Sequence, residues 1–234
     1  MPKVFGWQHL IYLGFFAILS ILTIVLSKKF LKTEKSQAIL IKVVAGLTLL
    51  TVILCRIGVV VNNGQGMKYF LPNTFCGFTS FVFSIVVIFG KPNLKSYQCF
   101  FYMAVVGGLA TLIYPDFIGQ NESFMYLPTI TGFLHHSFCL LLAILMAIFG
   151  WFKPDFKTCY CFPMIYCTYI IWGLFDMTVI GVNNAMCITT PLLSGTPLYW
   201  WFVLIVGSLL VALFSFVYQF VCNKIKNKNR EKEL

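Results

Sequence analysis

Two short segments of the chain combine a cysteine with residues that could activate it. FLPNTFC ends in Cys76, whereas FLHHSFC contains His135 and His136 and ends in Cys139. A thiol becomes a good nucleophile when a base removes its proton, and a cysteine and a histidine that are far apart in sequence can meet in the fold. The pattern therefore predicts a nucleophilic thiol with an imidazole as its general base.

Cys76 is the stronger candidate for the nucleophile. It follows a Pro-Asn-Thr stretch, and a polar helix start favours a thiolate more than deep apolar burial does. Cys139 competes for the role because it lies on the same helical face as His135 and His136. A metal site built from these side chains is the weaker interpretation, since one helix supplies them and adjacent histidines point about 100° apart. We expect neither a metal nor a cofactor.

Membrane helices must position these residues. Hydrophobic residues make up 59% of the 234 residues and charged ones only 10%, whereas about a quarter of a soluble domain is charged. Apolar runs of about 20 residues cross a bilayer. We expect an all-α membrane protein with one transmembrane domain over residues 1–234 and a short basic tail at 223–234. Its seven predicted spans are 10–26, 38–61, 71–89, 97–114, 127–149, 162–182 and 198–221.

The basic residues predict the orientation of these spans. The formal net charge is +10, but thirteen Lys and Arg residues lie in alternate connections and the tail, against two on the other side, Lys3 and Lys68. This asymmetry is typical of cytoplasmic loops and argues against a nucleic-acid partner. We therefore expect the N-terminus outside and the C-terminus in the cytoplasm, which requires an odd number of spans.

The chain also contains an internal repeat. FLPNTFC aligns with FLHHSFC, each precedes a span that ends in IFG, and KPNLKSYQCF then aligns with KPDFKTCYCF at an offset of about 62 residues. We interpret the third and fourth spans and the fifth and sixth spans as parallel helical-hairpin repeats, related by an axis along the membrane normal.

Several polar side chains fall in the outer half of the predicted bilayer. They are Cys76 and His136 together with Arg56 and Asp176. Ionisable groups inside spans are costly, so a functional role is the default interpretation. A structural ion pair between Arg56 and Asp176 is an equally good explanation for those two residues.

Four stretches, in order, resemble a known family. FGWQHL, FLPNTFC, FLHHSFC and GVNNAMCITTPLLSGTPLYWW are similar to the motifs of the YwaF / transmembrane protein 164 family of cysteine-dependent membrane acyltransferases. The resemblance covers nearly the whole chain. It places the family cysteine at Cys76 and the family histidine at His136, with His135 in the place of a serine. The N-terminal histidine of the family falls on His9, and its late asparagine on Asn183.

The resemblance implies a reaction. Cys76 would attack an acyl ester of a phospholipid with His136 as the base, and the thioester would then acylate a lyso-lipid. Thr74, where the family has His or Gln, and Asn183 would stabilise the oxyanion, while His9 would gate or orient the site. Membrane phospholipids and lyso-lipids are thus the expected partners, at a multi-pass protein of the cell membrane. A transporter or small-molecule carrier, and a lipid hydrolase with the same Cys/His site, are the alternatives.

Overall fold

The chain folds into helices joined by short connections. The computed structural model describes residues 5–62, 66–115 and 125–233, of which 62 and 226–233 are described by their backbone only. Within these ranges there is no strand, which confirms the expected all-α class. Seven α-helices follow one another in the described part: α1 (Trp7–Phe30), α2 (Glu34–Asn62), α3 (Phe75–Phe89), α4 (Tyr97–Ile113), α5 (Leu127–Ile148), α6 (Cys161–Phe175) and α7 (Trp200–Glu233).

Most of these helices have the length of membrane spans. Five segments of the described chain are long and apolar enough to cross a bilayer: Trp7–Phe30, Glu34–Val61, Leu127–Ile148, Phe156–Ile180 and Trp200–Ile225. The chain is therefore an integral membrane protein. Helices α3 and α4 are apolar but have only 15 and 17 residues. At ~1.5 Å per residue α3 extends ~22 Å, against a hydrocarbon core of ~30 Å.

Helix α3 is shorter than the predicted span because its N-cap residue is Thr74. The sequence predicts a span from residue 71, but α3 begins at Phe75. Thr74 has extended backbone angles, φ −118° and ψ 153°, and its side-chain oxygen accepts a hydrogen bond from the Gly77 N–H at 3.2 Å. This is an N-cap, which leaves the preceding residues outside the helix. Cys76 consequently lies in the first turn of α3.

The last two helices also differ from the predicted spans at their ends. Helix α6 continues into one turn of π-helix, Asp176–Ile180, and ends at Gly181, whose φ of 80° is a left-handed conformation that suits glycine. Helix α7 begins at Trp200 and continues to Glu233, so the backbone of the basic tail extends the helix beyond the apolar run. The expected basic tail at 223–234 thus continues α7 as far as Glu233.

Helix α5 is the most enclosed of the long helices and packs mainly against α2 and α4. Two glycines allow this close approach. A Cβ at Gly58 of α2 would lie 3.1 Å from Cγ of Pro128, and one at Gly108 of α4 would lie 3.0 Å from Cβ of Leu140. Because α5 is held closely on both sides, the side chains in its first half have fixed neighbours.

The two Lys-Pro connections lie side by side. The Asn93 N–H donates to the Trp151 carbonyl at 2.8 Å, and Nε2 of Gln98 donates to Oγ1 of Thr158 at 3.0 Å. These bonds join the start of α4 to the connection that precedes α6. The opposite end of the bundle consists of the ends of α2, α4 and α6 and the starts of α3, α5 and α7, and it contains the candidate site.

Candidate functional site

A cavity of about 630 Å³ opens at the end of the bundle opposite the Lys-Pro connections. Helices α2 to α5, the start of α7 and the connection between α6 and α7 supply its wall. Five of the residues singled out by the sequence line it: Arg56, Thr74, Cys76, His135 and His136. Its remaining wall is mostly apolar, which is typical of a pocket that binds an apolar ligand through a few polar groups.

Cys76 faces α4 across this cavity. Its Sγ lies 3.0 Å from the position that a Cβ at Gly107 would occupy, so the absence of a side chain there makes room for the sulfur. One turn further along α4, the buried Thr111 also lines the cavity, with its hydroxyl next to the thiol. The helix start also places positively polarised backbone N–H groups next to Cys76, and this arrangement favours negative charge on the sulfur.

Three other elements hold the non-helical residues before Cys76. Nε1 of Trp172 donates to the Pro72 carbonyl at 2.8 Å, and the Met186 N–H donates to the Asn73 carbonyl at 3.0 Å. Nη1 of Arg56 donates to Oδ1 of Asn73 at 3.2 Å. Backbone groups outside a helix need such partners where water is scarce. The segment thus has a defined conformation that depends on α2, α6 and the connection after α6.

The two histidines have different surroundings although they are adjacent. Their ring centroids lie 4.2 Å apart, but Nδ1 of His135 is hydrogen-bonded to Oγ of Ser80 at 3.0 Å. His136 has no such bond to any described residue and faces the cavity. Within the same part of the chain, no hydrogen bond joins the Cys76 thiol to either imidazole. His135 is therefore anchored to α3, whereas the His136 ring is free to meet a ligand.

Cys139 lies away from the cavity. Its side chain is buried and lies next to the Ser80 hydroxyl, which is hydrogen-bonded to His135. The part of the chain described by the structure contains no group of three or more His, Cys, Asp or Glu side chains that could hold a metal ion.

Arg56 and Asp176 do not form an ion pair, which was one of the two explanations that the sequence offered for them. Within the described residues, no carboxylate lies within the 4.0 Å of Arg56 that an ion pair requires. Asp176 is fully buried in the π-helical turn, and neither of its carboxylate oxygens has a hydrogen-bond partner among the described residues. Arg56 lines the cavity and Asp176 does not.

His9 lies in the first turn of α1, outside the cavity, and contacts the end of α4. Its Nδ1 accepts a hydrogen bond from the Phe5 N–H at 3.0 Å, so Nε2 carries the proton and donates to the Leu112 carbonyl at 2.8 Å. The ring is 1% exposed. Both nitrogens are thus occupied by backbone groups, and the contact fastens α1 to the bundle.

The connection after α6 covers one side of the cavity. Asn183 is exposed and does not line the cavity, whereas Asn184 does. Oδ1 of Asn184 accepts bonds from the N–H and the hydroxyl of Thr189, at 3.1 and 2.9 Å. Met186 and Cys187 both have left-handed angles, φ 49° and 52°. Such a conformation costs a bulky residue about 1 kcal/mol or more, and its bonds to the Cys76 segment offset that cost.

Gly107, Thr111, Asn184 and Cys187 line the cavity but were not singled out by the sequence. Gly107 belongs to a Gly-Gly pair and Thr111 is a polar residue within a span, which are weak signals. Burial raises the pKa of the Cys187 thiol to about 11, so this thiol stays protonated at neutral pH. Cys187 lies beside the cavity because of the conformation of the connection after α6, which the sequence pattern does not predict.

Comparison with known proteins adds the family. The model of the TMEM164 family matches residues 4–218. The chain belongs to the TMEM164 family. The match confirms the resemblance that its four motifs indicate, and it includes every residue of the cavity wall. No curated protein and no solved structure matches the chain.

Proposed function

We propose that this member of the TMEM164 family is a membrane-embedded, cysteine-dependent acyltransferase that moves an acyl chain from a phospholipid to a lyso-lipid. The observation that carries the proposal is the cavity shared by Cys76 and His136. It joins a thiol at a helix start to an imidazole that has no hydrogen bond to another described residue. Such a pair can act as nucleophile and general base.

Cys76 is a better nucleophile than the other thiols of the cavity. Cys55 is buried in α2 and its thiol donates to the Pro128 carbonyl at 3.8 Å, so it has a structural partner. Cys187 lies in the connection after α6 and not at the start of a helix. Cys76 is only partly buried, the first turn of α3 favours negative charge on its sulfur, and His136 can supply the base.

The reaction would proceed in two halves. His136 takes the thiol proton while Sγ of Cys76 attacks the ester carbonyl, and the resulting oxyanion collapses to a thioester as the lyso-lipid alkoxide leaves with that proton. The second half reverses these steps with the hydroxyl of another lyso-lipid. Proton transfer requires the His136 ring to approach the thiol, since no hydrogen bond joins them in the structure.

The oxyanion would form next to the first turn of α3. The backbone N–H of Cys76 and the hydroxyls of Thr74 and Thr111 are the proposed donors, since all three residues line the cavity. Asn184 replaces Asn183 in this proposal because it is the asparagine on the wall. Within this scheme His135 positions the ring of its neighbour through their contact.

The cavity offers a route for acyl chains from the side. Val106 and Ala110 of α4 and Leu192 of the connection after α6 all line it, and Val106 is 66% exposed. Exposed apolar side chains on a membrane helix face lipid tails. A phospholipid could therefore keep its tails in the hydrocarbon while its ester reaches Cys76.

The topology that we propose has seven crossings, with the N-terminus outside, the C-terminus in the cytoplasm and parallel hairpin repeats, in the cell membrane. The contact between the two Lys-Pro connections supports it, because like ends of parallel hairpins lie on one side. The basic connections then face the cytoplasm and the cavity faces outward.

Acyl-enzyme trapping tests this function. Purified protein is incubated with a phospholipid that carries a labelled acyl chain, and intact mass is measured before and after neutral hydroxylamine. We expect one hydroxylamine-sensitive adduct, which is absent from Cys76→Ala. With a lyso-lipid present, label in a new phospholipid indicates a transferase and label in free fatty acid indicates a hydrolase. An adduct of equal amount on Cys76→Ala would exclude the proposed nucleophile.

A further inference from the structure

Arg56 brings a guanidinium to the cavity wall without an anionic partner. Nη1 donates to the Asn73 side chain, and buried Nε has no hydrogen-bond partner among the described residues. Burial of a cation is costly unless an anion or several acceptors compensate for lost water. The structure therefore contains a binding group for an anion at this position.

Asp176 does not fill this role. Its charge acts on Arg56, but the two groups are not within the 4.0 Å of an ion pair, and Asp176 lies outside the cavity wall. Its carboxylate can lower the cost of the buried cation from a distance. The hydrogen-bond donors of the guanidinium that are not used by Asn73 remain available to a ligand in the cavity.

The guanidinium lies next to the proposed nucleophile. Nη2 of Arg56 is 3.7 Å from the position of a Cβ at Gly77, the residue that follows Cys76. An anion at Arg56 would also lie beside the first turn of α3, where the helix dipole favours negative charge. Planar guanidinium groups bind phosphate oxygens through paired hydrogen bonds.

We propose that Arg56 binds the phosphodiester of the glycerophospholipid whose acyl ester reacts at Cys76. This inference rests on the proposed function and adds the headgroup subsite to it. Only a short glycerol backbone separates the phosphate of such a lipid from its ester carbonyls, so one molecule can reach both groups. Arg56 then selects phospholipids over neutral acylglycerols and sets the position of the ester.

Two matched acyl donors test the inference: a phospholipid and the diacylglycerol with the same labelled chains. For wild type we expect faster acylation of Cys76 by the phospholipid. Arg56→Gln should raise the KM for the phospholipid about tenfold or more relative to the KM for diacylglycerol, because a charged hydrogen bond to the phosphate is lost. The loss of the Arg56 bond to Asn73 affects both donors alike and cancels in this ratio. The KM of Arg56→Lys for the phospholipid should lie between those of wild type and Arg56→Gln. Lys68→Gln, which removes an exposed cation near the cavity, should change neither rate.

A binding experiment separates this inference from the proposed reaction. Diether phospholipid and dialkylglycerol have no acyl ester, so their binding, measured by tryptophan fluorescence, does not depend on catalysis. We expect wild type to prefer the diether phospholipid and Arg56→Gln to lose that preference. Equal binding of both lipids by wild type, or binding of inorganic phosphate alone, would overturn the inference. Absence of a Cys76 adduct with intact lipid preference would overturn only the proposed reaction.

Discussion

Cys76 and Cys139 end two segments of similar sequence, FLPNTFC and FLHHSFC, and lie in different surroundings. Pro72 and the Thr74 cap delay the start of α3, so that Cys76 occupies its first turn and reaches the cavity. The other segment lies inside α5, which begins at Leu127, so that Cys139 is buried in the middle of a helix. The position of the helix start decides which of the two thiols reaches the cavity.

The two segments nevertheless meet at one hydroxyl. Ser80 of α3 is hydrogen-bonded to His135 and also lies next to Cys139. Under the proposed function, the α3 segment would supply the nucleophile and the α5 segment the histidines, while Cys139 would serve packing. Two segments of similar sequence would then contribute different parts of one site.

Replacement of each cysteine by alanine should give the largest difference between the two segments. We expect Cys76→Ala to lower the rate of lipid acyl transfer about a thousandfold or more, because the covalent intermediate is lost. Cys139→Ala should keep the rate within about threefold and cost about 1 kcal/mol of stability through the lost packing. The measurement is acyl transfer in proteoliposomes, with thermal unfolding as the control. Activity in Cys76→Ala together with its loss in Cys139→Ala would reverse the comparison.

The histidines of the α5 segment should differ from each other. His136→Ala should lower the rate by about 10² to 10⁴, the usual contribution of a general base, and its residual rate should rise with pH as hydroxide replaces the base. His135→Ala should lower the rate by about tenfold, since it acts through the neighbouring ring. Acyl-transfer rates measured between pH 6 and about 9 test both variants. An equal loss of rate in the two would contradict distinct roles for His135 and His136.

Gly107 tests whether the space around the Cys76 sulfur matters. Gly107→Ala places a Cβ 3.0 Å from Sγ, a contact that requires the sulfur to move. We expect a rate loss of about tenfold to a hundredfold from the misplaced nucleophile. Gly46→Ala is the matched control, because a Cβ there has no atom within 4 Å, and it should stabilise α2 by about 0.5–1 kcal/mol. Equal acyl transfer in both variants would show that the site tolerates displacement of the sulfur.

The sequence predicts part of this site and misses another part for identifiable reasons. Composition and apolar runs predict the helices, and the motifs predict Cys76, His135 and His136, which the structure brings to one cavity. Gly107 and Thr111 matter only because one face of α4 meets the start of α3, and sequence periodicity does not specify which helix faces meet. Asn184 and not Asn183 lines the wall, in a connection with a left-handed turn at Met186 and Cys187 that the sequence pattern does not predict.

The smallest effect on chemistry should come from His9, which fastens α1 outside the cavity. His9→Ala removes two hydrogen bonds, from the Phe5 N–H and to the Leu112 carbonyl. Because the buried Leu112 carbonyl then loses this donor, we expect a loss of about 1–3 kcal/mol in unfolding free energy. The rate of Cys76 acylation per folded molecule should change by less than about threefold. A much larger loss of rate at unchanged stability would place His9 in the catalytic site rather than in the packing of α1.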